Sequence, residues 1–412
     1  MLALLQRFRS NRKAGMATVT ALMMPVLIGS AGMTSDAIQM TFIKRVMQRQ
    51  ADSAAIAGAF ALSQGRAPAA SVAIDLARNS NTVLTADPVV ENAPSVGPYA
   101  GNSSAVRVAL LTDKRFPFLG FVIGTSRISA EATAAVVGLG EYCAIALETT
   151  AVTGISMGGN TTVDFKCGLM TNSPASSAVT AGGSSIVIAS PVAAVGGLPP
   201  SSNYASGTEL FPYSVPQIDP YAKLPALTVG NGSSSGNVKS NQIRTLDPGT
   251  YAGMDIKGTA TLNPGVYYLD GGTLSFGSQA VVSGTGVTFV LSSRQAATRP
   301  SLIAKANMNG GARVTLTAPS TGTYAGVLIY QDRRALDSGD NKINGNSSSK
   351  LQGAVYFPKQ EIEFNGNTGI NINCIKLVAR RMVFTGNSKV INLCPNNSGA
   401  APVLGTKIKL VG

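Results

Sequence analysis

From residue 143 onward, short apolar runs recur at a period of roughly 20–24 residues, each led by a Gly, Asn or Ser turn, and no other feature constrains the fold as much. Ile343-Asn344-Gly345-Asn346, Phe364-Asn365-Gly366-Asn367 and Phe384-Thr385-Gly386-Asn387 are offset by 21 and then 20. Gly158-Gly159-Asn160 is followed by Gly182-Gly183-Ser184. Leu246-Asp247-Pro248-Gly249-Thr250-Tyr251 returns soon afterwards as Leu262-Asn263-Pro264-Gly265-Val266-Tyr267. One such repeat cannot satisfy its own strand edges, so successive copies must stack. The pattern predicts a mainly-β, parallel (right-handed) β-helix over residues 141–412, one coil per repeat. Residues 189–245, rich in Pro, Ser, Gly and Asn, predict a long loop excursion from it.

The cysteines fall on the same period. Cys143 and Cys167 are one repeat apart, and Cys374 and Cys394 occupy the same place in the last two copies. Equivalent residues on stacked coils lie about 4.8 Å apart, within the disulfide Cα window of roughly 4.4–6.8 Å. The spacing predicts Cys143–Cys167 and Cys374–Cys394 bridges between neighbouring coils. Four buried thiols are the alternative, because sequence alone does not fix connectivity. No CxxC pair is present, which argues against a zinc ribbon or a redox motif.

The N-terminus reads differently. Arg7, Arg9, Arg12 and Lys13 precede the uncharged run Ala14–Ser35, and Asp36 ends it. A helix of that length spans roughly 33 Å, against a bilayer core of roughly 30 Å. The basic cluster orients such a helix with its N-terminus in the cytoplasm. The expectation is a bacterial inner-membrane, single-pass protein whose bulk is periplasmic, with surface exposure as an extension. A cleaved signal peptide is the alternative, with Ser30, Ala31 and Gly32 as small residues near a cut. Residues 1–66 then comprise the basic start, the membrane helix and its helical extension. Residues 67–140 form a small α+β module: an amphipathic helix over 69–81, then Ala105–Leu111 and Arg127–Val137 as strands, or a strand and a helix, flanking apolar Phe116–Ile123.

The formal charge of +13 does not point to nucleic acid. Residues 1–50 hold seven cations against Asp36 alone, and the remaining charge is scattered without aromatic interleaving. With no histidine, Ser-His-Asp and Cys-His nucleophile systems and His-ligated metals are excluded. No cofactor is expected. Paired carboxylates for glycoside hydrolysis remain: Asp332 with Asp337 or Asp340, and Glu361 with Glu363. Asp332-Arg333-Arg334 reads more simply as a solvated loop, and Glu361 and Glu363 as the outer face of a strand.

At Met47-Gln48-Arg49-Gln50-Ala51-Asp52-Ser53-Ala54-Ala55-Ile56-Ala57-Gly58-Ala59, behind the basic start, Gly15 and an apolar run with Pro25, the chain resembles the TadG-like proteins of Tad (Flp) pilus assembly. Val106-Arg107-Val108-Ala109-Leu110 and Ala130-Glu131-Ala132-Thr133-Ala134 are similar to the end of the same module. Asp219-Pro220-Tyr221-Ala222-Lys223-Leu224-Pro225, Leu262–Tyr267 and Gly322-Thr323-Tyr324-Ala325-Gly326-Val327 are similar to Gly-rich β-helical regions of some members. Related minor pilins carry a processing Gly and a Glu five residues on; here Thr20 follows Gly15 at that place. The resemblance therefore implies a retained, membrane-anchored, non-enzymatic accessory that contacts pilus or secretion components. A surface adhesin or glycan-binding protein, and a polysaccharide-active enzyme, are the competing readings.

Overall fold

The structure, a computed structural model, describes residues 12–79, 82–232, 234–338, 340–344, 349–366, 370–372, 374–387, 389–392 and 403–412. The chain divides into two compact units, residues 1–137 with 408–412, and residues 138–407.

The first unit is built on one helix, α1 (Arg12–Ser63). A second, α2 (Pro68–Arg78), follows a Gly65 turn at φ +67°. Strands β1 (Val89–Asn92) and β2 (Ala105–Arg115) pair antiparallel. A short helix, α3 (Leu119–Val122), then leads into β3 (Thr125–Ala146), which pairs antiparallel with β2 from Ala105↔Ala135 to Arg115↔Thr125. The open choice between strand and helix at 127–137 therefore resolves as strand.

The alanine-rich stretch of α1 has a packing cause. Met47, Ala51, Ala54, Ala55 and Ala59 are buried against Val72 and Leu76 of α2 and Val106, Val108 and Leu110 of β2. The approach is close: a Cβ on Gly58 would stand 2.9 Å from Val106 and 3.0 Å from Val72. Only small side chains allow a helix so near a sheet. α1, α2 and strands β1 to β3 thus share one core. Ile408 joins it, and Val411 N donates to Thr133 O at 2.9 Å, so the C-terminal residues belong to this unit and not to the repeats.

The second unit is mainly parallel strand. From Ile243 to Gly366 each strand pairs in parallel with the third strand after it, until the long strand Lys350–Gly366 pairs with its three predecessors in succession. The offset seen near the C-terminus is a pairing register: Phe364 pairs with Phe384, their rings stacked at 5.0 Å. In the Leu-Asx-Pro-Gly-X-Tyr pair, Leu246 pairs with Leu262, and each tyrosine donates its hydroxyl to the Asx carbonyl of its own copy.

The order of rows does not follow the chain. Cys374–Gly386 pairs in parallel with the end of β3, Leu377↔Ala144, and with Ile155–Met157, Met382↔Ile155. From β3 the pairing continues outward through Gly168–Thr171, Val192–Ala194 and Leu210–Phe211. The chain thus enters in the middle, builds one end, and reappears at the other, where Ser234 bridges Tyr251 and Val238 bridges Ile256.

Residues 212–232 make that crossing as a strap over one outer sheet face. Gln217 exchanges hydrogen bonds with Asn172 at 2.8 Å each way. Tyr356 donates to Asp219 at 2.6 Å, Tyr330 to the Pro225 carbonyl at 3.2 Å, and Arg333 to the carbonyls of Tyr221 and Leu224. Tyr221, Leu224 and Leu227 bury the outward faces of Tyr330, Tyr356 and Val378. The expected excursion over 189–245 is accordingly narrower, because Val192–Ala194, Leu210–Phe211 and Ile243–Leu246 are strands.

Candidate functional site

Two places concentrate chemistry: the apolar half of α1, and a carboxylate–arginine cluster in the second unit. Along α1, Val19, Leu22, Met23, Met24, Val26, Leu27 and Ile28 are exposed, while continuous core packing sets in from Met47. The helix is long and apolar enough to cross a membrane by length and composition. Thr20 returns its hydroxyl to the Met16 carbonyl at 2.8 Å, so this polar group is satisfied inside the helix. Of the basic residues that precede the apolar run, Arg7 and Arg9 lie outside the described residues; Arg12 and Lys13 open α1 as backbone, their side chains undescribed.

Asp36, the first charge after the apolar run, is buried. Its Oδ2 accepts from the backbone N–H groups of Phe118 and Leu119 at 2.7 Å each, tying α1 to the turn between β2 and β3. One turn earlier, a Cβ on Gly32 would overlap the Phe118 ring at 2.3 Å.

In the second unit Cys143 and Cys167 form a disulfide, Cα–Cα 5.8 Å, across the pairing of β3 with Gly168–Thr171. This is the bridge that the cysteine spacing predicts. Cys394 and the side chain of Cys374 lie outside the described residues, and with them the second bridge.

The cluster centres on Glu148, which sequence reasoning missed. Its carboxylate accepts from Thr149 N and Thr150 N at 2.9 Å, the Thr150 hydroxyl at 2.7 Å, Arg380 Nε at 2.9 Å and Arg381 Nη1 at 2.7 Å. Burial alone would raise its pKa; the hydrogen bonds from Arg380, Thr150 and Arg381 outweigh that and hold it at about 2. Arg381 also reaches Asp337 at 2.7 Å and Glu361 at 3.2 Å, and its own pKa is raised because these partners outweigh desolvation. No local signature marks Glu148, since both arginine partners are remote from it in the chain.

Asp332 is buried rather than in a solvated loop. Its two oxygens take Arg334, in two bonds from the side chain and one from the backbone, and the Ser292 hydroxyl. Burial pushes its pKa up, but these hydrogen bonds prevail and lower it. Asp337 and Glu361 come together through Arg381. Glu363 faces outward with Lys342 at 3.7 Å, flanking buried Ile362 as alternation predicts. The Asp340 side chain lies outside the described residues. Among the described residues no group of three or more Cys, Asp or Glu is placed to hold a metal ion.

Comparison with family models, curated proteins and solved structures gives no match.

Proposed function

We propose that this chain is a membrane-anchored, non-enzymatic accessory of a bacterial Tad/Flp pilus assembly system, serving tight adherence as a structural and interaction protein. α1 crosses the inner membrane once, N-terminus in the cytoplasm, and both compact units stand in the periplasm. The second unit is a parallel right-handed β-helix whose coils offer long side faces to pilus or secretion components.

The observation that carries this reading is the division of α1. Its first half leaves large apolar side chains uncovered, and its second half buries an alanine face in a packed core. Such a surface is stable in hydrocarbon and not in water. The carboxylates of Glu148 and Asp332 support a structural role, since both are buried and their oxygens are taken up by arginine and hydroxyl partners of the fold itself. The pilus assignment rests on the resemblance at Met47–Ala59 and 106–134. Deleting the chain in its native host should abolish or sharply reduce pilus assembly and surface adherence. Normal pili and normal adherence would remove the assignment.

A further inference from the structure

We propose that the turn joining β2 to β3, residues 116–123, is a second membrane contact: its apolar tip enters the boundary between lipid headgroups and acyl chains, on the side where α1 leaves the bilayer. The inference rests on α1 crossing that bilayer.

The tip is exposed and apolar. Phe121 is 86% exposed, Val122 69% and Ile123 59%, at consecutive positions. Residues 116–126 carry no charge, whereas Lys114 and Arg115, both exposed, flank them on one side and Arg127, paired with Asp113 at 3.1 Å, on the other. An apolar tip with a cationic rim suits an interface of acyl chains below anionic phosphates.

The depth is fixed by α1. Asp36 holds Phe118 N and Leu119 N, and Gly32 lies under the Phe118 ring. Both helix positions sit at the end of the uncharged run Ala14–Ser35, where a helix of this length emerges from the hydrocarbon. The tip is thereby held at the height of the headgroups and not above them.

The backbone is prepared to leave water. Beyond the two donors taken by Asp36, Gly120 N donates to Phe116 O at 3.0 Å, Phe121 N to Phe118 O at 3.2 Å and Ile123 N to Leu119 O at 2.9 Å. Unpaired donors are what exclude loops from lipid, and here the charged partner that satisfies two of them comes from α1 itself.

The chain has no tryptophan, so a single introduced indole can report its own depth. Phe121→Trp is made in the full chain and reconstituted into phosphatidylcholine–phosphatidylglycerol vesicles. Leu22→Trp, in the apolar run, and Val96→Trp, in the loop at the opposite end of the hairpin, serve as references. The expected result for F121W is blue-shifted emission, shielded from acrylamide and quenched more by lipids brominated near the glycerol end of the chain than near the methyl end. Emission and acrylamide quenching of F121W equal to those of V96W, with L22W quenched by brominated lipid, would overturn the tip contact and leave the anchor standing. Shielding of F121W from acrylamide without quenching by any brominated lipid would mean that protein covers the tip, and also overturns it. An L22W signal untouched by every brominated lipid would overturn the anchor and this inference together.

Discussion

The Glu148 carboxylate has no exposed surface and two arginine partners, so its value to the fold depends on remaining ionised. Its folded pKa of about 2 lies below the ordinary 4.5, so its contribution is complete above about pH 4.5 and is lost as pH falls toward 2. Glu148→Gln should lower stability near neutral pH by about 1–3 kcal/mol, because it removes the one fully buried partner of two half-buried arginines and leaves them only the more exposed Asp337 and Glu361. The variant should also lose less stability than the parent on acidification through that window. Chemical denaturation of the detergent-solubilised chain across pH reads both effects; equal stability of the two proteins at neutral pH would show that Arg380 and Arg381 are satisfied without Glu148.

At the level of elements, α1 carries glycines with opposite roles. A Cβ on Gly58 would press on Val106 and Val72, whereas nothing lies within 4 Å of one on Gly29. Overpacking a close helix–sheet contact costs roughly 1–3 kcal/mol. Gly58→Leu should therefore destabilise the first unit by at least that much, while Gly29→Leu leaves it unchanged. Thermal unfolding followed by circular dichroism separates them, and equal melting temperatures would mean that α1 does not sit on β2 this closely. The same closeness explains the alanine run that carries the resemblance: Ala51, Ala54, Ala55 and Ala59 are interface residues of this contact.

Across the second unit, the order of rows is the property most open to direct test. Val383 pairs with Ser156 although they stand near opposite ends of the unit's sequence, and both are half-buried. Parallel neighbours lie about 4.8 Å apart, within disulfide reach. Ser156→Cys with Val383→Cys should give a crosslink between these two positions on oxidation, found by non-reducing peptide mapping beside the native Cys143–Cys167 bridge. Rows stacked in chain order would keep the two sites far apart and give no such link. The strap explains how the observed order is maintained, because Asp219, Arg333 and Arg334 tie residues 219–227 across the rows they pass.

What the sequence determines is local and periodic. The uncharged run marks the apolar half of α1, and the repeat period sets strand pairing, since every row must offer an apolar residue inward at the same phase. That is why Phe364 meets Phe384 and Cys143 meets Cys167. The glycine turns show where this legibility ends. Asn160 N donates to Gly386 O and Ser184 N to Gly159 O, so the turns at Gly386, Gly159 and Gly183, with φ of 77°, 68° and 63°, stand in one column. Their similarity is visible in the sequence, but nothing in the period says that the turn at Gly386 lies next to the one at Gly159. Repeats that match in phase can pair with any copy, and the choice falls to the strap and to buried pairs such as Glu148 with Arg380 and Arg381. Those are contacts between distant residues, and only the tertiary structure decides them.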